Sequence, residues 1–182
     1  MHRRSRFLVG AVALISFTVF AQSAQNGVTR SESFTHDPVV KAITAFKKST
    51  WHWQDVMGSR HTPFAASAVR SPDPEYRRWV LQLWQRRAQT TRLRAEHVPH
   101  AAAWLCIHNY EGAWSSRTGN GYYGGLQMDV TFMRHYGAKL LRRKGTADRW
   151  TPLEQMWVAE RALRAGRGFY PWPHTARACG LI

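Results

Sequence analysis

Three helix starts in this chain pair a capping side chain with a proline directly after it: Asp37-Pro38, Asp73-Pro74 and Thr151-Pro152. Each marks a helix start, because the cap oxygen satisfies an orphan amide and proline's fixed φ suits the first turn. Glu75 adds an acid near the positive dipole end, and Thr151-Pro152-Leu153-Glu154 is a full capping box. Apolar residues follow at helical spacing. Val39, Ile43, Phe46, Trp53 and Met57 drift along one stripe that Gly58 ends, and Tyr76, Trp79, Val80, Leu83 and Trp84 mark one face of a second helix. The opposite face of that helix carries Arg77, Arg78, Arg86 and Arg87. A third helix opens after Val98-Pro99 and runs through Trp104, Leu105 and Ile107 towards Glu111-Gly112. Asp129 caps a short helix from Val130 to Tyr136, and the helix led by Thr151 runs to about Gly166. The stretches Gly58–Pro74 and Lys139–Gly145 read as a linker and a basic connection. The strand signal is Asn120-Gly121, a tight-hairpin dipeptide. The expected class is α+β, mostly helical, with a small β ribbon.

The N-terminus fixes the compartment. Met1–Arg6 carries three Arg, Phe7–Ala21 is apolar, and Gln22-Ser23-Ala24 supplies small residues, the order of a secretory signal over residues 1–24. A span needs roughly 20 apolar residues, so this run is short for one, and an uncleaved anchor is the alternative. The expected location is secreted or cell wall-associated. Outside the cytoplasm the only two cysteines, Cys106 and Cys179, are read as one disulfide. Loss of residues 1–24 removes three Arg and no acid, taking the net charge from +15 to +12. Such a charge calls for an anionic partner, and secretion favours an anionic cell wall over nucleic acid, which is not expected.

The carboxylates of residues 104–182 are Glu111, Asp129, Asp148, Glu154 and Glu160. Glu154 has a capping role, Asp148 lies in the basic connection, and Glu160 sits on the apolar side of its helix, where a structural ion pair is expected. Glu111 remains, at the end of an apolar helix and followed by Gly112, Trp114 and a Gly/Tyr-dense loop. Apolar burial keeps a carboxylic acid protonated near neutral pH, as glycosidic-bond cleavage requires, although a solvated Glu at a helix end is the blander reading. His97, His100 and His108 form no His-Glu-x-x-His pattern, so neither a metal nor a cofactor is expected.

Trp104-Leu105-Cys106-Ile107-His108-Asn109-Tyr110-Glu111-Gly112-Ala113-Trp114 and Thr118-Gly119-Asn120-Gly121-Tyr122-Tyr123-Gly124-Gly125-Leu126-Gln127 resemble the transglycosylase-like domain of resuscitation-promoting factors. Ala159-Glu160-Arg161, Trp172-Pro173 and Cys179-Gly180-Leu181 stand where that family has a helix, a Trp-Pro segment and the partner Cys. The resemblance implies a lysozyme-like fold over residues 75–182, strongest over 100–182, after a helix and linker at 25–74. It also implies cleavage of the β-1,4 bond between N-acetylmuramic acid and N-acetylglucosamine in peptidoglycan, with Glu111 catalytic. Gln127, Tyr122, Tyr123, Trp114 and Asp129 are the expected substrate-binding residues. Its implied partners are peptidoglycan glycan strands, the anionic wall and a peptidoglycan endopeptidase. A single good Glu favours a lytic transglycosylase, whereas a hydrolase (a muramidase) needs a second carboxylate, for which Asp129 is the candidate. The alternative is a non-catalytic peptidoglycan-binding or signalling protein on the same fold. Two departures stand out. Four residues separate Cys106 from Glu111, where the family often has none, which sets the disulfide off the carboxylate's face. Phe132 replaces a commonly polar Thr.

Overall fold

The structure is a computed structural model describing residues 37–182, so the expected signal sequence lies outside the described residues. Helix α1 spans Pro38–Met57. Helix α2 is a single turn, Ala66–Val69, and helix α3 runs from Pro74 to Glu96 behind Asp73, whose side chain accepts from the amides of Glu75 and Tyr76. Helix α4 is Ala101–Glu111. The stretch expected as a linker is strapped back onto α1. Trp51 Nε1 donates to the Thr62 carbonyl (2.9 Å), and the Gln54 side chain exchanges hydrogen bonds with the Thr62 amide and hydroxyl. Val69 of α2 then packs with Ile43, Val80 and Trp84 in a small cluster between α1 and α3.

After α4 come strands β1 (Tyr122–Tyr123) and β2 (Met128–Asp129), antiparallel, with Tyr122 opposite Asp129 and Tyr123 opposite Met128. The turn between them is Gly124–Gln127. Asn120-Gly121 turns the chain one step earlier, between Arg117 and Tyr123, which form an isolated bridge. Helix α5 (Val130–Tyr136) is capped by Asp129, whose Oδ1 accepts from the Phe132 amide at 2.7 Å. The expected basic connection is instead helix α6, Ala138–Lys144, which buries Leu140. Helix α7, Pro152–Ala162, starts with the capping box and gives way to a π-helical turn over Leu163–Arg167. Helix α8, Pro173–Ala178, closes the chain.

Pro38–Ile182 pack as one compact unit. Its main core gathers tryptophans from several elements around the fully buried Trp104: Trp53, Trp150, Trp157 and Trp172. Burying an indole leaves its N–H in need of a partner. Trp157 donates to the Ala95 carbonyl and Trp172 to that of Leu126 (both 2.6 Å), Trp150 donates to Gly145, and Trp104 donates to Glu160 (3.1 Å). The bonds of Trp104, Trp157 and Trp172 fix long-range registers that apolar contact alone would leave free. Glu160, 1% exposed, also pairs with His100 (3.0 Å) and Arg164 (3.4 Å), which is the structural role expected of it.

A second buried carboxylate ties three helices together. Glu154 of α7 accepts from Lys144 of α6 at 2.7 and 2.8 Å and from the Thr151 amide, and lies 3.1 Å from His52 of α1. Burial alone would raise its pKa. The bonds from His52, Lys144 and Thr151, with the Lys144 charge, outweigh that and hold it at about 2. The combination is a mostly helical α+β fold with a two-stranded ribbon and one disulfide, as expected for a lysozyme-like domain. Among the described residues no helix is long and apolar enough to cross a membrane.

Candidate active site

Helix α4 delivers Glu111 at its last turn and stops because Gly112 takes φ +142°, a conformation unfavourable to a side chain. Glu111 is half-buried, and its hydrogen-bond partner comes from α8. The Thr175 hydroxyl donates to Glu111 Oε1 at 2.9 Å and also lies 3.3 Å from the Trp172 carbonyl. The Cys106–Cys179 disulfide, closed over a separation of 73 residues, bolts α8 to α4. Cys179 follows Thr175 by one turn, its amide bonded to the Thr175 carbonyl. The disulfide therefore supports Glu111 through Thr175, despite the intervening residues between Cys106 and Glu111.

The glycine loop is built by close approach. A Cβ on Gly124 would stand 2.4 Å from Gln155 Oε1, and one on Gly125 would stand 2.6 Å from His108 Nδ1 and 2.7 Å from the Trp114 ring. Only glycine admits the Gln155 side chain and the Trp114 ring this close. Trp114 lies half-buried against His108, ring centroids 3.9 Å apart and planes within 22°. Fully buried Gln155 knots the loop: its Oε1 accepts from the Gly125 amide (2.9 Å), and its Nε2 donates to the carbonyls of Trp114 and Ala147 (both 2.8 Å). At the end of the turn, Gln127 adopts φ +46°, the one non-glycine positive φ among the described residues, and its side-chain Nε2 donates back to the Gly124 carbonyl at 2.8 Å. Strain of this kind is held in place by its surroundings and gathers at sites.

Tyr122 is 47% exposed on the ribbon, while Tyr123 is half-buried against the core. Asp129 lines an open cavity of about 400 Å³ with Thr131, Phe132, His135, Tyr136 and Arg167. Trp114, Tyr123 and Gln127 thus share the loop that Gln155 organises, Asp129 faces the neighbouring cavity, and Glu111 is held from the α8 side. The three histidines go separate ways: His97 bonds the Leu93 carbonyl, His100 pairs with Glu160 and His108 stacks on Trp114. Among the described residues no group of three or more His, Cys, Asp or Glu could hold a metal.

Sequence reasoning missed two residues here. Thr175 was within reach of it, since Thr175 lies one turn from Cys179, the disulfide partner of a residue near Glu111. Gln155 gave no signal, because its partners Trp114 and Gly125 are 41 and 30 residues away.

The described residues thus form a mostly helical, lysozyme-like domain with Glu111 at a helix end and a small ribbon. Residues 99–175 match the Transglycosylase-like domain family. The match to Resuscitation-promoting factor Rpf1 of Corynebacterium glutamicum is 40% identical over 70 residues, 38% of this chain and 35% of that protein. That to Resuscitation-promoting factor RpfE of Mycobacterium tuberculosis is 38% identical over 82 residues, 44% of each. The chain thus covers less than half the length of these two relatives.

Proposed function

We propose that this chain is a secreted lytic transglycosylase that cuts the β-1,4 bond between N-acetylmuramic acid and N-acetylglucosamine of peptidoglycan. Glu111, protonated, donates to the oxygen of the scissile bond as the bond to the sugar's C1 breaks. Now ionised, it takes the proton of the same sugar's 6-hydroxyl, whose oxygen closes on C1 as a 1,6-anhydro ring. The proton balance returns Glu111 to its starting state, and no water enters.

One observation supports this reading over hydrolysis. Asp129, the candidate second carboxylate, has its Oδ1 committed to the Phe132 amide at 2.7 Å as the cap of α5. That cap gives Asp129 a structural role of its own, whereas anhydro-ring closure asks for a single carboxylate. Tyr122, Tyr123, Trp114 and Gln127 orient the glycan, and Asp129 contacts it from the 400 Å³ cavity. Export rests on the basic and apolar order of residues 1–24, and a peptidoglycan endopeptidase acting on the peptide stems is the matching partner.

Mass spectrometry of fragments released from purified peptidoglycan tests this directly. Anhydro-ended fragments from the wild type and none from Glu111→Gln are expected. Reducing ends would make the chain a muramidase and transfer attention to Asp129. No fragments, with protein still bound to the polymer, would leave a binding or signalling module.

A further inference from the structure

We propose that the groove between the α1–α2 segment and α3 is a second glycan site. It would hold a peptidoglycan strand by stacking sugar rings on Trp79 and Tyr76 and pairing peptide-stem carboxylates with Arg87. The groove encloses about 320 Å³ and is lined by residues that include Phe64, Tyr76, Trp79, Trp84 and Arg87, all outside the segment 99–175.

The apolar stripe of α3 divides in two. Val80 and Trp84 are buried against α1 and α2, as the helical spacing predicts, but Trp79 and Tyr76 from the same stripe are 50% and 42% exposed. Both rings keep surface that the packing of the described residues leaves uncovered. The rings stack on each other, within 22° of parallel and with centroids 5.7 Å apart, so each keeps one outer face open. A pyranose presents C–H groups on its ring face, and these complement the negative face of an aromatic ring. Adjacent exposed rings therefore suit a run of sugars better than an irregular apolar partner.

Charge narrows the ligand. The Arg87 guanidinium lies 5.0 Å from the Trp84 ring centroid, which holds this cation at the groove. No carboxylate is among the lining residues. A neutral glycan would leave this cation without a counter-charge, whereas peptidoglycan carries free carboxylates on its stems. The choice of peptidoglycan rests on the function proposed above; the stacking and charge arguments come from the groove itself. Such a site would keep the enzyme on its polymer between cuts, since a second contact on one strand acts at high effective concentration.

Cosedimentation of the full chain with peptidoglycan sacculi, stripped of covalently attached polymers, is the test. It is run in Glu111→Gln protein so that the polymer stays intact. Tyr76→Ala/Trp79→Ala should raise the half-saturating concentration about tenfold, and Arg87→Gln about threefold with a flatter salt dependence. Thermal unfolding unchanged from the parent separates this from misfolding. Unchanged retention overturns the proposal. Retention only on unstripped walls also overturns it and gives the groove to a phosphate polymer, and Trp79-dependent binding of single-stranded oligonucleotide without retention on sacculi gives it to nucleic acid. Fragment release by the wild type alongside unchanged retention in the groove variant defeats the groove alone. Absent fragments with Trp79-dependent retention defeat the cleavage reading alone.

Discussion

A carboxyl that must first give and then take a proton needs a neighbour that suits both of its states. Thr175 has the geometry for this, with its hydroxyl 2.9 Å from Glu111 Oε1 and 3.3 Å from the Trp172 carbonyl. Towards ionised Glu111 the hydroxyl donates. Towards protonated Glu111 it turns its hydrogen to Trp172 and accepts. Thr175→Val should lower kcat about tenfold with little change in KM, the worth of one hydrogen bond to a charged group, and Thr175→Ser should restore it. Equal losses in the Val and Ser variants would reduce Thr175 to a packing role. The glycine loop sets a contrasting demand, for space. Gly124 combines φ +76° with Gln155 Oε1 at 2.4 Å from a would-be Cβ, so Gly124→Ala adds backbone strain and displaces a buried, fully bonded amide. A loss of about 3 kcal/mol in urea unfolding is expected, compared with about 1 kcal/mol for exposed Gly119→Ala, where φ +85° brings backbone strain but a Cβ meets nothing.

The elements that matter most to the site are α4 and α8, and one covalent bond holds them together. Breaking the Cys106–Cys179 bridge frees a loop of 73 residues, for which chain entropy gives about 4 kcal/mol. Reduction, or Cys179→Ser, should therefore lower the melting temperature by about 10 °C. It should also cut turnover below that of Thr175→Val at temperatures where the chain is still folded, because the whole of α8 loosens. Unchanged turnover in folded, reduced protein would show that α8 docks without the bridge. Reading the elements from sequence succeeded where the signal is local. Asp73, Asp129 and Thr151 cap the helices they were expected to cap, because a cap and its amides lie within three residues of each other. It failed for α6, whose Lys139, Arg142, Arg143 and Lys144 look like a solvated connection. Their stabilising partners are remote: Asp55, 84 residues before Lys139, pairs with Lys139 and Arg143, while Glu154 receives Lys144. The site divides in the same way. Glu111 and the loop were visible in a contiguous motif, whereas Thr175 and Gln155 act across 64 and up to 41 residues.

At the scale of the whole molecule, 26 basic residues against 11 acidic ones leave few carboxylates to hold many cations. Two of them, Asp55 and Glu154, are used at junctions between helices. Asp55 joins α1 to α6 through Lys139 and Arg143. Burial would raise its pKa, and the bonds and charges of Lys139 and His61 lower it overall. Glu154 joins α1, α6 and α7 from a site 1% exposed, and its pKa of about 2 against an ordinary 4.5 makes it the larger acid-sensitive link. A depressed carboxylate contributes fully above its unfolded pKa and loses that contribution as pH falls towards its folded value. The contribution of Glu154 is therefore complete above about pH 5 and fades between there and pH 2, a difference of about 3 kcal/mol. Urea unfolding of the wild type and Glu154→Gln across pH 6 to 2 isolates it from Asp55. The wild type should be the more stable at pH 6, and the two curves should converge near pH 2. Parallel curves would mean that His52 and Lys144 gain nothing from the Glu154 charge, and that α1 is held to the rest of the fold by Asp55 and the tryptophan core.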